Sequence, residues 1–412
     1  MGRFRCQNGL VLAINRFGSE STTLRSTAKL FAKGLTMNKL SARVREIYNI
    51  LHQLPELGFC EEKTASYLAE QLTIAGYQVA TGVGGTGVVG QLIGCSTGPT
   101  VALRADMDAL AHYIDGEETV IHSCGHDAHC AMVLTVAEAV AQSGIHCGVL
   151  KIIFQPAEEQ LFGAQAMLAA GVIDDVDILL GIHLRPLAEA KMGQATPALY
   201  HGASAILEAV LTGVTAHGAR PHLGVNVIDA AAAAVNAVNA IHVNPVIPAT
   251  VKITKLHAGG ASLNAIPDRA ELAFDLRAQQ NDVMVELIAK TVKAVEAAAS
   301  TVGATAVVTE KGGVPAAQYD ESLIELAAEA IRAVLGSQGL LKPLYTPGGE
   351  DFHCFVKAKP TLKTGYVGLG VDLLPGLHHP EMCFTVDGLI NGVNIFLYMV
   401  DKLLTMENGS PK

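Results

Sequence analysis

Residues 122–129 read His-Ser-Cys-Gly-His-Asp-Ala-His, so three imidazoles, one thiol and one carboxyl fall within eight positions. Imidazole nitrogen, thiolate sulfur and carboxylate oxygen are the ligands that borderline divalent metals select. Cys124 and His126 are close enough for a loop or helix entrance to direct both toward one ion. Asp127 is expected to orient an imidazole from behind, as metal-binding histidines require. The stretch therefore predicts part of a metal site.

Four apolar runs elsewhere in the chain each lead to residues of the same ligand type. In open α/β sheets, ligands bind beyond the carboxyl ends of the strands, so we expect these residues to share one site. The runs are 100–103, 149–154, 176–180 and 360–369, and they are followed by Asp106 and Asp108, by Glu158 and Glu159, by His183, and by His378 and His379.

The alternation of short apolar runs with helical stretches predicts an α/β domain. Residues 198–309 differ, with strands expected at 203–211, 250–256 and 270–278 and helices at 226–241 and 282–299, which is an α+β pattern. Because the ligand-type residues lie before and after it, this segment is expected to be inserted into a catalytic domain formed by 37–197 and 310–412.

Composition excludes several classes of protein. The formal charge of −10 and the lack of a basic stripe argue against a nucleic-acid surface. No uninterrupted apolar stretch of about 18 residues occurs, which argues against a membrane protein. The 8 cysteines are scattered without a framework spacing. This pattern suits a reducing compartment, and we expect a cytoplasmic protein.

Residues 1–36 are basic, rich in Ser and Thr, and contain one acid, Glu20. Such a segment is typical of a transit peptide, or else it is an extension upstream of a domain that begins at Met37. We favour the extension because no clear amphipathic helix emerges, and we expect the segment to be disordered.

The chain resembles peptidase family M20, and within it the amidohydrolase branch that includes hippurate hydrolases and auxin–amino-acid conjugate hydrolases. The resemblance runs in order from Met37 to Leu404, which makes it far more specific than one motif. Its motifs are His-Gln-Leu-Pro-Glu-Leu-Gly at 52–58, Leu-Arg-Ala-Asp-Met-Asp-Ala-Leu at 103–110, the stretch 122–129, Gln-Pro-Ala-Glu-Glu at 155–159, Gly-Ile-His at 181–183, His-Gly-Ala-Arg-Pro-His at 217–222, Asn-Ala-Ile-Pro-Asp at 264–268, Gly-Glu-Asp-Phe at 349–352 and Leu-His-His-Pro at 377–380.

The resemblance implies a zinc-aminopeptidase-like catalytic domain with a mixed central sheet flanked by helices, plus an inserted ferredoxin-like lid that commonly forms a homodimer. It implies that Glu158 is the general base and that His217 steadies the oxyanion, acting in the partner subunit's active site. Asn264 and Arg277 would bind the backbone or carboxylate of the substrate. Two divalent ions, which could be Zn²⁺, Mn²⁺ or Co²⁺, would be held by Cys124, His126, Glu159, His183 and His378.

The chain departs from the branch at several positions. Ser123 and Cys130 stand where the branch usually has Ala and Thr, and the stretch between Leu110 and His122 is short. That stretch is expected near the pocket mouth, where it would affect substrate preference. His379 replaces a usual Ser, so either His378 or His379 could be the ligand, and the spacing favours His378. Arg277 follows Phe-Asp-Leu rather than the usual Gly-Thr-x pattern.

The function implied is metal-dependent hydrolysis of the amide bond of N-acyl or N-aroyl amino acids. The alternative is a dipeptidase or carboxypeptidase that uses the same metal centre. A metal-binding protein without turnover is a third possibility, and the intact Glu158 argues against it.

Overall fold

The computed structural model describes residues 36–404, which form two compact units. The first unit contains residues 36–198, 319–344 and 359–404, and the second contains Leu199–Gln318 and Tyr345–Ala358. The predicted extension, residues 1–36, lies outside the described residues except for Thr36, which caps the first helix. Within 36–404, no helix is both long and apolar enough to cross a membrane.

Strands and helices alternate through most of the described chain. The helices are α1 (Met37–Leu51), α2 (Glu62–Ile74), α3 (His126–Ser143), α4 (Gly163–Ala169), α5 (Val227–Asn239), α6 (Asn281–Thr301), α7 (Glu321–Leu335), α8 (His353–Ala358) and α9 (Leu389–Leu404). The strands are β1 (Gln78–Val83), β2 (Gly87–Ile93), β3 (Ser96–Asp106), β4 (Leu110–Ile114), β5 (Glu117–Ile121), β6 (Cys147–Gln155), β7 (Ile178–Pro186), β8 (Ala195–Thr196), β9 (Leu199–His201), β10 (Ala203–Thr212), β11 (Ala216–His217), β12 (Ala249–Ala258), β13 (Ala265–Ile266), β14 (Arg269–Ala278), β15 (Thr305–Val314), β16 (Leu344–Thr346) and β17 (Lys363–Leu373).

The first unit is built on a mixed sheet with the strand order β1-β2-β6-β3-β7-β17-β8. Strand β3 pairs in parallel with β6 and β7, and β7 pairs in parallel with β17. These are the four strands that contain the predicted apolar runs. Their carboxyl ends meet at one edge of the sheet, as the sequence predicted.

The core of the first unit lies between this sheet and its helices. Strands β6 and β7 are buried along almost their whole length, because a central strand covered on both faces has no solvent side. Helix α3 is buried on nearly every side, including its first residue, His126. A helix that is apolar all round must lie inside the protein, and this burial carries the motif at 122–129 into the interior.

The second unit has a ferredoxin-like topology, which confirms the predicted fold class. Its antiparallel sheet has the order β12-β14-β10-β15, and α5 and α6 connect strands in the βαββαβ pattern. Alternate residues of β14 from Ala270 to Ala278 are buried, as expected for a sheet with one face covered by helices.

The second unit is larger than the inserted segment that the sequence predicted. The predicted boundary at 309 falls inside β15, which pairs with β10 over its length and so stays in the second unit. Residues 345–358, expected in the catalytic domain, also belong to it. There the Gly202 N–H donates to the carbonyls of Thr346 and Gly348 at 3.1 Å each. These non-local backbone bonds left no signal in the local pattern.

Candidate metal centre and active site

The glycine between Cys124 and His126 shapes the entrance to α3. Gly125 has a φ of +90°, in the left-handed region, and a Cβ there would lie 3.0 Å from the Leu184 side chain. A side chain at this position would be both strained and crowded. The turn leaves Cys124 just before the helix and His126 as its first residue, and both are buried.

His126 presents one ring nitrogen to the pocket. Its Nδ1 lies 3.1 Å from Oδ1 of Asp108 and donates to it, so Nε2 is the nitrogen that faces the pocket. That Nε2 is buried and has no hydrogen-bond partner among the described residues. Burial alone would lower the pKa of His126, but Asp106 and Cys124 raise it well above its ordinary value. The surroundings thus favour a positive charge at this point.

His183 is held in the form that a metal ligand needs. Its Nδ1 donates to the Leu184 carbonyl at 2.7 Å, which leaves the lone pair on Nε2, 3.5 Å from the Cys124 sulfur. Burial, together with the neighbouring His129 and Arg185, lowers the pKa of His183 well below its ordinary value. The imidazole is therefore neutral at neutral pH. The sequence suggested that His183 follows the strand, but His183 lies within β7.

The paired glutamates follow β6 directly. The Glu159 N–H donates to Oδ2 of Asp108 at 2.9 Å, and its Oε1 lies 3.8 Å from Nε2 of His126. Oε2 of Glu158 lies 4.0 Å from the same nitrogen. Burial would raise the pKa of Glu159, but His378 and His126 together lower it. Both carboxylates thus face a region that stabilises cations.

His378 completes the cluster from the loop after β17. Its backbone N–H donates to the Ser123 carbonyl at 2.7 Å, and its Nε2 lies 3.1 Å from Oε1 of Glu159. Cys124 and Glu159 raise the pKa of His378 to about 10. His379 instead uses Nδ1 to accept from the Glu381 N–H, and both side chains are exposed. The geometry favours His378 over His379 as a ligand.

These side chains converge tightly enough to hold metal. Their ligand atoms form overlapping groups within 4.8 Å of one another, namely Cys124–His126–His183, Cys124–Glu159–His378 and His126–Glu158–Glu159. Nε2 of His126 is buried without a hydrogen-bond partner in the described chain, although such an atom is costly to leave unsatisfied. A mixed N, O and S donor set with open lone pairs fits borderline divalent ions.

A further group, Asp106–His126–His129, is arranged differently. Nδ1 of His129 bonds Asp106 at 2.8 Å, and its Nε2 accepts from the Leu184 N–H at 3.1 Å. Both ring nitrogens are therefore used, and His129 has no lone pair for a metal. Arg104 also binds Asp106, at 2.7 Å. Although burial raises the pKa of Asp106, His126 and Arg104 lower it well below its ordinary value.

The carboxylate that orients His126 is not the one that the sequence predicted. Asp127 does hold an imidazole from behind, but at 2.6 Å it holds His52, which is not in the ligand cluster. Asp108 performs that task for His126. Asp106 is the last residue of β3, and Asp108 follows two residues later. In an extended chain this spacing places both carboxylates on one side, and it was the sequence signal for their orienting role.

The short stretch between Leu110 and His122 forms the hairpin β4–β5, with Asp115 and Gly116 at its turn. Asp-Gly is a strong hairpin signal that the sequence reading did not use. Nε2 of His112 lies 2.8 Å from the hydroxyl of Ser123, whose carbonyl binds His378. Ser123, which stands where the branch usually has Ala, thus has a hydrogen-bond partner on the hairpin.

Three predicted residues lie in the second unit. His217 of β11 pairs with Ala265 of β13, and the Gly218 N–H donates to the Asn264 carbonyl at 2.7 Å, so His217 and Asn264 are neighbours. Both side chains are exposed. Nδ1 of His217 accepts from the Ala219 N–H at 3.0 Å, which makes Nε2 the protonated, outward donor.

Arg277 is set apart from that pair. Strand β14 begins at Arg269, and Arg277 lies near its other end. At the usual rise per residue, the backbones of Arg269 and Arg277 are roughly 27 Å apart. The Arg277 guanidinium binds Asp275 at 2.8 Å, since alternate residues of a strand share a face. The structure thus brings His217 and Asn264 together and does not add Arg277 to them.

Comparison with known proteins identifies the family to which the chain belongs. Residues 102–402 match the model of "Peptidase family M20/M25/M40". The chain is 29% identical to the N-acetyl-L-cysteine deacetylase of Bacillus subtilis, over 94% of each chain. It is 31% identical to the hippurate hydrolase of Campylobacter jejuni, over 78% of this chain and 86% of that one.

A solved structure is similar over the whole fold. A dinuclear metal-binding peptidase of the M20 family from Bacillus subtilis is 26% identical, with a TM-score of 0.76 over 89% of this chain and 99% of that one. The ligand cluster at the sheet edge and the family match over residues 102–402 lead to one conclusion. The chain belongs to peptidase family M20 and is a hydrolase of the amidohydrolase type.

Proposed function

We propose that this protein hydrolyses the amide bond of N-acyl or N-aroyl amino acids and releases the amino acid and a carboxylic acid. One observation carries the proposal. The Glu158 carboxylate lies 4.0 Å from Nε2 of His126 and shares one ligand group with it, whereas the adjacent Glu159 belongs both to that group and to the group with Cys124 and His378. Two neighbouring carboxylates thus divide their tasks, one handling protons and the other binding metal.

The centre would hold two divalent ions through Cys124, His126, Glu159, His183 and His378. Their ligand atoms form the two triads Cys124–His126–His183 and Cys124–Glu159–His378, which have Cys124 in common. When bound, the ions supply positive charge that acidifies water and polarises an amide carbonyl. The donor set suits Zn²⁺, Mn²⁺ and Co²⁺.

Glu158 acts as the proton carrier. As the base, it takes a proton from the attacking water while oxygen bonds to the amide carbon. It then delivers that proton to the amide nitrogen as the carbon–nitrogen bond breaks. Its burial shields these transfers from bulk water.

His217 donates to the oxyanion through Nε2, the nitrogen left protonated by its Ala219 contact. One such donor is typically worth about 3–4 kcal/mol in the transition state. Asn264, its neighbour, and Arg277 would bind the backbone or carboxylate of the substrate. Arg277 would first have to exchange its Asp275 partner for that carboxylate.

The second unit would serve as the lid and form the homodimer in which His217 acts on the partner's site. Strand β12 is at the edge of its sheet, and no strand of the described residues covers its outer side. Leu256 on β12 is 50% exposed, and Leu263 in the next loop is 99% exposed. An open edge with apolar side chains favours association.

The cellular site would be the cytoplasm. No disulfide bond joins cysteines of the described residues, which suits a reducing compartment.

The names of the relatives support N-acyl amino acids, because a deacetylase of N-acetyl-L-cysteine and a hippurate hydrolase both match most of the chain. A panel of N-acetyl-, N-benzoyl- and indoleacetyl-amino acids plus dipeptides, with protein reloaded with Mn²⁺, Zn²⁺ or Co²⁺, tests the proposal. Metal-dependent release of amino acid from one acyl class supports it. Cleavage of dipeptides alone would replace it with a dipeptidase.

A further inference from the structure

Three segments of the first unit meet at the carboxyl group of Glu61. Glu61 is 0% exposed and precedes α2, yet its side chain does not cap that helix. Instead, Oε1 accepts from the Ala157 N–H at 2.8 Å, across a sequence separation of 96 residues. Its second oxygen accepts from the hydroxyl of Thr86, in the turn between β1 and β2.

Ala157 has an unusual backbone conformation immediately before Glu158. Its φ is +52°, in the left-handed region that costs energy for any residue with a Cβ. Its carbonyl accepts from the Gly163 N–H at 3.1 Å, so Glu61 and Gly163 together hold both of its backbone polar groups. Strained residues persist where the surroundings over-determine them, and they cluster at functional sites.

The backbone on the other side of Glu158 is held in the same manner. The Glu159 N–H donates to Oδ2 of Asp108 at 2.9 Å. Each peptide N–H that flanks Glu158 is therefore bound by a buried carboxyl group, Glu61 before it and Asp108 after it. These two anchors hold the backbone from which the Glu158 side chain projects.

Close packing supports the same arrangement. A Cβ on Gly58 would lie 2.9 Å from the Cα of Ala157, and a Cβ on Gly87 would lie 3.2 Å from Cδ of Pro156. The Gln160 side-chain amide also donates to the Gly58 carbonyl at 3.0 Å. The chain on both sides of Ala157 is thus in van der Waals contact with the segments that carry Glu61 and Thr86.

The cost of burying Glu61 indicates that it has a specific task. Burial raises the pKa of its carboxyl group, in spite of its hydrogen bonds to Thr86 and Ala157. A buried carboxyl is an expensive way to fill space, and an apolar side chain would fill it better.

We propose that Glu61 is a positioning residue for the general base: by binding the Ala157 N–H, it keeps the left-handed turn that aims Glu158 at the reacting water. This inference rests on the proposed role of Glu158 and extends it to a residue on a distant segment. Glu61 itself touches neither substrate nor metal in this proposal.

Four variants of the metal-loaded protein test the inference. Glu61→Leu removes both acceptors, whereas Glu61→Gln keeps an oxygen for the Ala157 N–H and an amide group beside Thr86. Thr86→Val removes only the second contact. Val44→Ala, at a buried position of α1, is the control for a general loss of stability.

The kinetic expectation is a change in kcat without a matching change in KM. For Glu61→Leu we expect kcat to fall at least about tenfold, with KM within about threefold and metal content retained. Glu61→Gln should keep more than about half of kcat, Thr86→Val should lose about threefold, and Val44→Ala should match the wild type. A Glu61→Leu enzyme with wild-type kcat overturns the inference, and so does a Glu61→Gln enzyme as impaired as Glu61→Leu.

Amide hydrogen exchange in peptides that cover 156–163 provides a readout independent of substrate. Glu61→Leu should speed exchange there and leave α1 and α9 unchanged, while Glu61→Gln should not. If Glu61→Leu does not fold, Thr86→Val decides, and wild-type kcat and exchange in that variant overturn the inference. Failure of every substrate in the wild type would instead remove the proposed function, and the exchange result would still stand.

Discussion

Oδ1 of Asp108 lies 3.1 Å from Nδ1 of His126, and this contact sets which nitrogen of the imidazole faces the metal cluster. The second oxygen of the same carboxylate accepts from the Glu159 N–H. One side chain just after β3 therefore orients two proposed ligands that come from different segments. Preorganisation of this kind raises metal affinity because the ligands need little rearrangement on binding.

Asp108→Ala should weaken metal binding about 10- to 100-fold, the usual effect of losing a carboxylate that orients a ligand. The imidazole of His126 would lose its tautomer control, and the Glu159 N–H would lose its acceptor. Competition with a chromogenic chelator measures the affinity. Asp115→Ala, at the turn of the hairpin β4–β5, is the matched control and should bind metal as the wild type does. Equal affinities in the two variants would contradict this role for Asp108.

His378→Ala should lose one ion per subunit, whereas His379→Ala should keep full metal content. The reason is that Nε2 of His378 lies within the cluster, while Nδ1 of His379 is occupied by the Glu381 N–H. Elemental analysis after dialysis against metal-free buffer gives the ratio of metal to protein. Loss of metal in His379→Ala alone would transfer the ligand role to His379.

Glu158→Gln should retain its metal and lose about 10²–10⁴-fold in kcat, because the amide cannot accept a proton from water. Glu159→Ala should instead lose metal, since its Oε1 faces both His126 and His378. Parallel measurements of metal content and turnover separate the two roles. Normal turnover in Glu158→Gln would refute its assignment as the base.

His217→Ala should lower kcat about 10²–10³-fold, the usual effect of losing one oxyanion donor. If His217 acts in the partner's site, mixing inactive His217→Ala and inactive Glu158→Gln dimers should restore activity as subunits exchange. Native mass spectrometry confirms the exchange. Mixed dimers that form but stay inactive would show that His217 does not act in trans.

The His52–Asp127 pair should make stability depend on pH. The hydrogen bond to Asp127 raises the pKa of His52 in spite of its partial burial. Burial would raise the pKa of Asp127, but His122 and His52 lower it. His52 therefore contributes fully to the free energy of unfolding below its unfolded pKa of about 6.5, and this contribution is lost as the pH rises through its folded pKa.

The contribution of Asp127 is present above its unfolded pKa of about 3.9 and is lost as the pH falls through its lower folded pKa. The difference in free energy of unfolding between the wild type and His52→Gln should therefore be largest between about pH 4 and 6.5, and should narrow toward alkaline pH. Urea unfolding of chelator-treated protein at several pH values measures it. A difference that widens with rising pH would contradict the pairing.

Local pattern predicted a large part of the fold. The helix expected at 282–299 corresponds to α6, and the strand expected at 270–278 corresponds to β14. The boundary at 309 was displaced because the fourth strand of the second unit, β15, is defined by its pairing with β10. Pairing between distant strands is a non-local interaction that local periodicity does not encode.

The sequence by itself determined the chemistry available to this protein. The thiol, imidazoles and carboxylates at the ends of four apolar runs follow from residue type and strand periodicity alone. Only the tertiary structure decided which nitrogen of each imidazole is free. The Leu184 carbonyl fixes His183, Asp108 fixes His126, and two partners leave His129 without a lone pair. These assignments depend on contacts between segments far apart in the chain, which exist only once the sheet has formed.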